Sequence, residues 1–307
     1  MARSRFVGDR GLTARMTLVM FLLGALFVGL IAVLIAILPP TWAPFIGVIG
    51  LGLVWFQWFQ SDTVAMRAMG AREVSPEQAP ELHGMIERLC ALADMPKPRV
   101  GIADTDLPNA FATGRSPERS VVCVTTGILQ TLDAEEMEAV LAHELSHVAH
   151  RDVLVMTVAS SAGIVAGMLT RGAQYGGLFG RRDNNNNGLP IWLVVLVVSL
   201  VVYAVSFLLL KLLSRYRELA ADRSGAYLTM KPGALASALQ KITGEINLIP
   251  QKDLRSSQAM NAFFIAPAVR GVSLATLTST HPTLEQRLEQ LARIQAELGR
   301  PDAGGAL

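Results

Sequence analysis

The chain has 307 residues, 51% hydrophobic and only 17% charged, and its mean hydropathy of +0.39 is too high for an ordinary soluble domain, so part of it is expected in lipid. A formal net charge of +2, with no arginine or lysine run interleaved with aromatics, excludes a nucleic-acid partner. Cys90 and Cys123 have no CxxC spacing, which excludes a disulfide scaffold and a cysteine metal site and leaves two small buried hydrophobes.

The N-terminal tail carries Arg3, Arg5, Arg10 and Arg15 against Asp9, so the positive-inside rule keeps it in the cytoplasm. No further charge appears before Asp62. Met16 to Leu38 is long enough to cross a hydrocarbon core of about 30 Å, and Pro39 and Pro40 end it. A second apolar run, Trp42 to Phe59, places Trp42, Trp55 and Trp58 near its ends, where indole rings favour the lipid–water boundary. Residues 1–60 are therefore predicted to form a transmembrane hairpin that returns the chain to the cytoplasm. A cleaved signal peptide is the competing reading of the first run; its length and the absence of a small-residue cleavage site argue against it.

Residues 61–152 form a water-compatible block. Ser75-Pro76-Glu77-Gln78 predicts a helix start, followed by Leu82, Ile86, Leu89 and Ala93 at helical spacing. Arg99 to Ala103 and Val121 to Thr125 are Val-rich and bounded by turn residues, which predicts short strands of a small sheet. Asp133 with Glu136 is a capping box opening a helix that ends near His150. On that helix Met137, Leu141, Leu145 and Val148 cluster on one side, and His143 and His147 lie about 120° away, so one helix can anchor in a core and face a cleft.

His143-Glu144-Leu145-Ser146-His147 carries the chemistry. Histidines at i and i+4 share a helical face and can each place one nitrogen on a zinc ion at about 2.0–2.1 Å. Glu144 is turned about 100° away, which suits a carboxylate that takes a proton from attacking water rather than a metal ligand. The bland alternative is a buried histidine pair held by hydrogen bonds. His150 sits about 10 Å along the axis from His143, too far to share the same ion.

A third apolar run, Val153 to Thr170, is marginally long and rich in Gly, Ala and Ser; it either spans or packs within protein. The fourth, Leu189 to Leu210, ends at Lys211 with Arg215 and Arg217 beyond. Between them Arg171 to Gly188, with Arg171, Arg181 and Arg182 against Asp183 and with Asn184 to Asn187, is predicted to be a linker that is not exported. Residues 153–213 thus hold two hydrophobic helices, and 214–307 complete the domain begun at 61–152. No internal repeat is present.

A catalytic zinc takes three protein ligands and leaves a position for water. Glu218 is the candidate third ligand, and Asp222, at i+4 on the same face, is the candidate acceptor for the remaining ring N–H of a ligating histidine. The alternative for this pair is a solvated helix face with Arg215 and Arg223 as neighbours.

With these residues in place the chain resembles the HtpX-type membrane zinc metalloproteases, relatives of the CAAX prenyl endopeptidases. The likeness covers nearly the whole chain and rests on Asn109 to Gly114, His143 to Asp152, Glu218 to Asp222, and Ser279-Thr280-His281-Pro282 with Arg287. The resemblance implies a mainly α integral membrane protein with a small β-sheet, in which a zincin-like metallopeptidase domain is fused to transmembrane helices. It implies one Zn²⁺ held by His143, His147 and Glu218, with Glu144 as general base. It also implies a cytoplasmic active site at the cell inner membrane, which degrades damaged or misfolded membrane proteins under stress. His281 is implied as an electrophilic helper near the developing oxyanion; a cap of the Leu284, Leu288, Leu291, Leu298 helix is its alternative. The segment Pro108 to Gly114, with Asn109, Ala110 and Phe111 as substrate-binding candidates, or else the strand Val121 to Thr125, is expected to supply an edge along which an extended substrate binds. Oligomeric state is not read from the sequence. The competing function is a non-enzymatic membrane scaffold or holdase with a structural zinc; a transporter would need ionisable groups inside the spans, and the apolar runs have none.

Overall fold

The computed structural model describes residues 10–37, 60–174, 191–248, 265 and 281–299, together with 48, 52, 55, 56, 58 and 59. Most of the second apolar run and the linker from residue 175 onward lie outside the described residues. The elements are α1 (Arg10–Ile37), α2 (Ser61–Ala68), β1 (Ala71–Glu73), α3 (Pro80–Ala93), β2 (Arg99–Ala103), β3 (Ala110–Gly114) and β4 (Ser120–Thr125). They continue with α4 (Thr126–Thr131), α5 (Ala134–Ala149), α6 (Asp152–Gln174), α7 (Ile191–Thr229), α8 (Pro232–Leu248) and α9 (Leu284–Leu298).

The four strands form one sheet in the order β1-β2-β4-β3, with β2 and β4 parallel and the two outer strands antiparallel to their neighbours. Both faces are covered. Val100, Val122 and Val124 face a core filled by Ile86 and Leu89 of α3, Leu141 and Leu145 of α5, Leu239 and Ile242 of α8, and Leu291 and Ile294 of α9. Ala103, Phe111 and Cys123 face the other way, against Ala65 and Met66 of α2. Each fully buried leucine of α5 contributes about 1.5–3 kcal/mol, which fixes the rotation of that helix over the sheet. Burial also pushes the thiol of Cys90 up to about 11 and that of Cys123 up to about 12, as suits the small hydrophobes read from their spacing.

The predicted helix start at Ser75 is displaced. The Ser75 N–H does donate to Gln78 Oε1, but residues 76–79 form a turn and Pro80 opens α3 at the position where its missing N–H costs nothing. The capping box of α5 is as read: Asp133 Oδ1 accepts from the N–H groups of Glu135 and Glu136, and Glu136 Oε2 accepts from the Asp133 N–H. Glu136 also takes hydrogen bonds from Ser237 and Lys241, tying the start of α5 to α8.

Three described helices are long and apolar enough to cross a membrane, at Arg10–Leu34, Asp152–Arg171 and Trp192–Thr229. They pack together through Leu30 and Leu34 of α1, Val165 and Leu169 of α6, and Val195 and Val202 of α7. Glycine gives α6 its close approach, with Tyr203 and Ser206 of α7 at 3.4 Å from where a Cβ would sit on Gly167 and Gly163. Thr170 Oγ1 donates to Ser199 Oγ at 2.9 Å, satisfying the one polar group with the other inside the bundle. Phe21, Val28, Leu200, Val201 and Leu208 point outward, an apolar exterior that only lipid solvates well. The 39 residues of α7 run about 58 Å, nearly twice the hydrocarbon thickness, and the helix continues unbroken across residue 213. Glu218 therefore stands about 12 Å below Leu210, the last residue of the apolar run, on the same rod that crosses the membrane.

Candidate active site

Two helices build the site, and one glycine sets their spacing. A Cβ on Gly225 of α7 would lie 2.9 Å from the backbone nitrogen of His143 and 3.1 Å from its Cα, so α7 approaches α5 more closely than any other residue permits. One and two turns back along α7, Asp222 and Glu218 then face the histidines of α5.

His143 Nε2 and His147 Nε2 are 3.3 Å apart, with their rings at 86°. Glu218 Oε1 lies 3.4 Å from His147 Nε2, and Glu218 Oε2 lies 3.7 Å from His143 Nε2. Three atoms held at about 2.0–2.1 Å from one tetrahedral ion are about 3.3–3.4 Å apart, so the spacing suits a single zinc-sized cation. The three ligand atoms all lie within 4.8 Å of one another. Two imidazoles and one carboxylate with no thiolate also match the donor set of an open, catalytic centre.

Each histidine is turned by a carboxylate behind it. Asp222 Oδ1 stands 2.9 Å from His143 Nδ1, and the same carboxylate accepts two hydrogen bonds from Arg287 of α9, at 2.6 and 2.7 Å. Asp152 Oδ2 stands 2.5 Å from His147 Nδ1 and is paired with Arg217. These contacts fix both rings with Nε2 toward the common point. Helical spacing in the sequence points to Asp222 but to no role for Asp152, Arg217 or Arg287. The signals were a carboxylate at the head of the third apolar run and arginines beside the two motif segments.

Glu144 is buried, and its Oε2 accepts a hydrogen bond from the Ala112 N–H of β3 at 2.9 Å. Burial pushes its carboxyl above the usual carboxylate range, against the pull of the two imidazoles. It lies beside the three-residue cluster without belonging to it.

β4 sits between β2 and β3, so it has no open edge, and the expectation that Val121 to Thr125 serves as a substrate edge is corrected. β3 is the outer strand on the active-site side. Ala110 and Phe111 line the cleft, whereas Asn109 is completely buried and does not. The Asn109 backbone exchanges hydrogen bonds with Thr125 and its Oδ1 accepts from the Ile265 N–H, while the Ile265 carbonyl accepts from Arg287. Asn109 is thus buried where it joins β3 to the Arg287–Asp222 pair.

His281 is not the cap of α9: Thr283 is, with Gln286 closing the box. The buried His281 ring instead lies with Nδ1 3.3 Å from Glu218 Oε2 and lines the same cleft. His150 stays outside the cluster, with Nδ1 bonded to the Ser146 carbonyl. The cleft has a volume of ≈ 540 Å³ and reaches from the histidines along β3 toward Met156 and Ser160 of α6 and Leu210 of α7, residues of the apolar runs.

Comparison with known proteins decides what this constellation belongs to. Residues 76–295 match the model of Peptidase family M48. The chain belongs to that family. It is 54% identical over 305 residues to "Protease HtpX homolog 1" of Streptomyces coelicolor, covering 99% of each chain. It is 50% identical to "Protease HtpX homolog" of Moorella thermoacetica, over 96% of this chain and 98% of the other. Among solved structures, Ste24p of S. mikatae superposes with a TM-score of 0.52 at 18% identity, covering 91% of this chain and 65% of that one, which is a likeness of fold. This M48 member is a membrane-associated peptidase, a hydrolase of peptide bonds, and both histidines, Glu144, Glu218 and Asp222 fall inside the matched residues.

Proposed function

We propose that this chain is a zinc-dependent endopeptidase of the cell inner membrane, with its active site on the cytoplasmic side, that cleaves misfolded or damaged membrane proteins in quality control under stress. The observation that carries the reading is the cluster of His143, His147 and Glu218 with Glu144 buried beside it. The position of Glu218 just below the apolar run of α7 supports a substrate presented at the membrane surface, and the arginines of the N-terminal tail support the cytoplasmic side.

His143, His147 and Glu218 would hold the metal. Bound there, Zn²⁺ supplies Lewis acidity that polarises the scissile carbonyl and makes water acidic enough to lose a proton near neutral pH. Glu144 takes that proton from the attacking water on a carboxylate oxygen. The water oxygen forms its bond to the carbonyl carbon, and the proton passes from Glu144 to the amine nitrogen as the C–N bond breaks. The outer edge of β3 binds the substrate backbone in extended form, and the Ala112–Glu144 hydrogen bond keeps that edge in register with the base. Asp222 and Asp152 hold the two imidazoles, and His281, beside Glu218, offers a proton-bearing ring to the developing oxyanion.

A holdase with a structural zinc would need a closed site, and three protein ligands with a carboxylate base alongside favour catalysis. Purified protein incubated with casein is expected to cleave it, to stop on chelation and to resume when zinc is returned. Glu144→Gln is expected to retain zinc and fold while losing activity by about 10²–10⁴-fold. Cleavage that ignores the chelator, or an undiminished Glu144→Gln enzyme, would overturn the reading.

A further inference from the structure

A second cavity, ≈ 540 Å³ in volume, opens on a neighbouring face of α7, roughly a third of a turn around the helix from Glu218. Its walls are the start of α1, the lower half of α7 and the outer face of α9. Four arginines line it, Arg15, Arg215, Arg223 and Arg293, against two glutamates, Glu289 and Glu297. Both glutamates are engaged: Glu289 pairs with Arg293, and Glu297 accepts from the Tyr227 hydroxyl. Arg15 and Arg223 lie over the rings of Tyr216 and Tyr227, which attract a cation without neutralising it. The Nε of Arg223 is buried and has no hydrogen-bond partner among the described residues.

The depth of the cavity is set by the sequence. Arg15 is the last charge before the apolar run of α1, and Arg215 follows the apolar run of α7 by five residues, so both stand where lipid headgroups lie. A concave pocket at that depth, lined among the described residues by four arginines against two glutamates, has the chemistry of a phosphate receptor. We infer that this cavity binds an anionic phosphate group, carried by a phospholipid headgroup or free in solution.

Occupancy would join α1, α7 and α9. Gln290 of α9 already donates to the Leu219 carbonyl of α7 across the cavity wall, and the same α9 holds Arg287 on Asp222. A bound phosphate would brace the helix whose Arg287 holds Asp222, the carboxylate behind His143, from the side away from substrate.

The test uses the full chain, with bound lipid counted by native mass spectrometry after exchange into nanodiscs of phosphatidylglycerol or phosphatidylcholine. Phosphatidylglycerol is expected to be retained at least tenfold better than phosphatidylcholine, with that preference lost in Arg15→Gln/Arg215→Gln/Arg223→Gln. Glu289→Gln, which removes a negative charge from the same wall, is expected to strengthen retention, a gain that misfolding cannot imitate. In a parallel arm, inorganic phosphate titrated into detergent-solubilised protein raises the thermal midpoint of the wild type but not of the triple variant. Phosphate response without lipid retention assigns the free ion, and lipid retention assigns the headgroup. Equal retention of both lipids with no phosphate response, or no change of either readout in both variants, overturns the inference and leaves the peptidase site untouched.

Discussion

Asp152 Oδ2 stands 2.5 Å from His147 Nδ1 although the two residues belong to different helices. The chain turns between them at Arg151, a non-glycine residue with φ of 55°, and this break swings the first carboxylate of α6 back over the last turn of α5. Asp152 is also paired with the buried Arg217. One carboxylate therefore links a metal-ligand candidate, the start of a membrane helix and the arginine adjoining Glu218.

Asp152→Asn is accordingly expected to weaken zinc binding by about 10–100-fold, as loss of the group behind a histidine ligand does. It is also expected to destabilise the fold by about 3–5 kcal/mol, because Arg217 is left buried without its partner charge. Asp152→Asn/Arg217→Met should recover stability without recovering metal affinity. Zinc competition titration and thermal unfolding separate the two effects; recovery of both together would contradict the orienting role.

Gly225→Ala is expected to cost about 1–3 kcal/mol by overpacking, since the added methyl meets the His143 backbone rather than a flexible side chain. The same separation of α5 from α7 moves Glu218 and Asp222 away from the histidines, so zinc affinity should fall with stability. Thermal unfolding and metal titration of this variant check it. Wild-type values in both would show that the helix spacing is set elsewhere.

The sequence made the motif legible because its parts sit at helical spacings within single helices. His143 and His147 are one turn apart on α5, and Glu218 and Asp222 are one turn apart on α7. Asp152 was not legible, because periodicity says nothing across the break at Arg151. The strand β1 was missed for another reason: Ala71-Arg72-Glu73 carries no β-branched residue, is largely exposed, and exists only because β2 offers it an edge. The helix start expected at Ser75 lies four residues early because Pro80 is an equally good first position and the Ser75–Gln78 hydrogen bond is used to close a turn instead. The role of Asn109 needed the approach of Ile265, 156 positions away, which no local pattern encodes.

Raised thiol pKa values make a prediction about reactivity with pH. With Cys90 near 11 and Cys123 near 12, the thiolate fraction at pH 8 is on the order of 10⁻³ or less in the folded chain. Iodoacetamide at pH 8 should leave both residues unmodified in the native protein and alkylate both after denaturation. Since the raised values keep the protonated form dominant, modification of the folded chain is expected only as pH climbs toward 11. Rapid labelling of either cysteine at pH 8 without unfolding would contradict their burial.

X-ray absorption at the zinc edge of purified, zinc-replete protein tests the metal centre most directly. The expected spectrum shows about one zinc per chain with only nitrogen and oxygen neighbours at about 2.0–2.1 Å, including the outer-shell scattering of two imidazoles, and loss of one oxygen neighbour in Glu218→Ala. A sample without zinc, a sulfur shell near about 2.3 Å, or a spectrum unchanged by Glu218→Ala would contradict a site made by His143, His147 and Glu218.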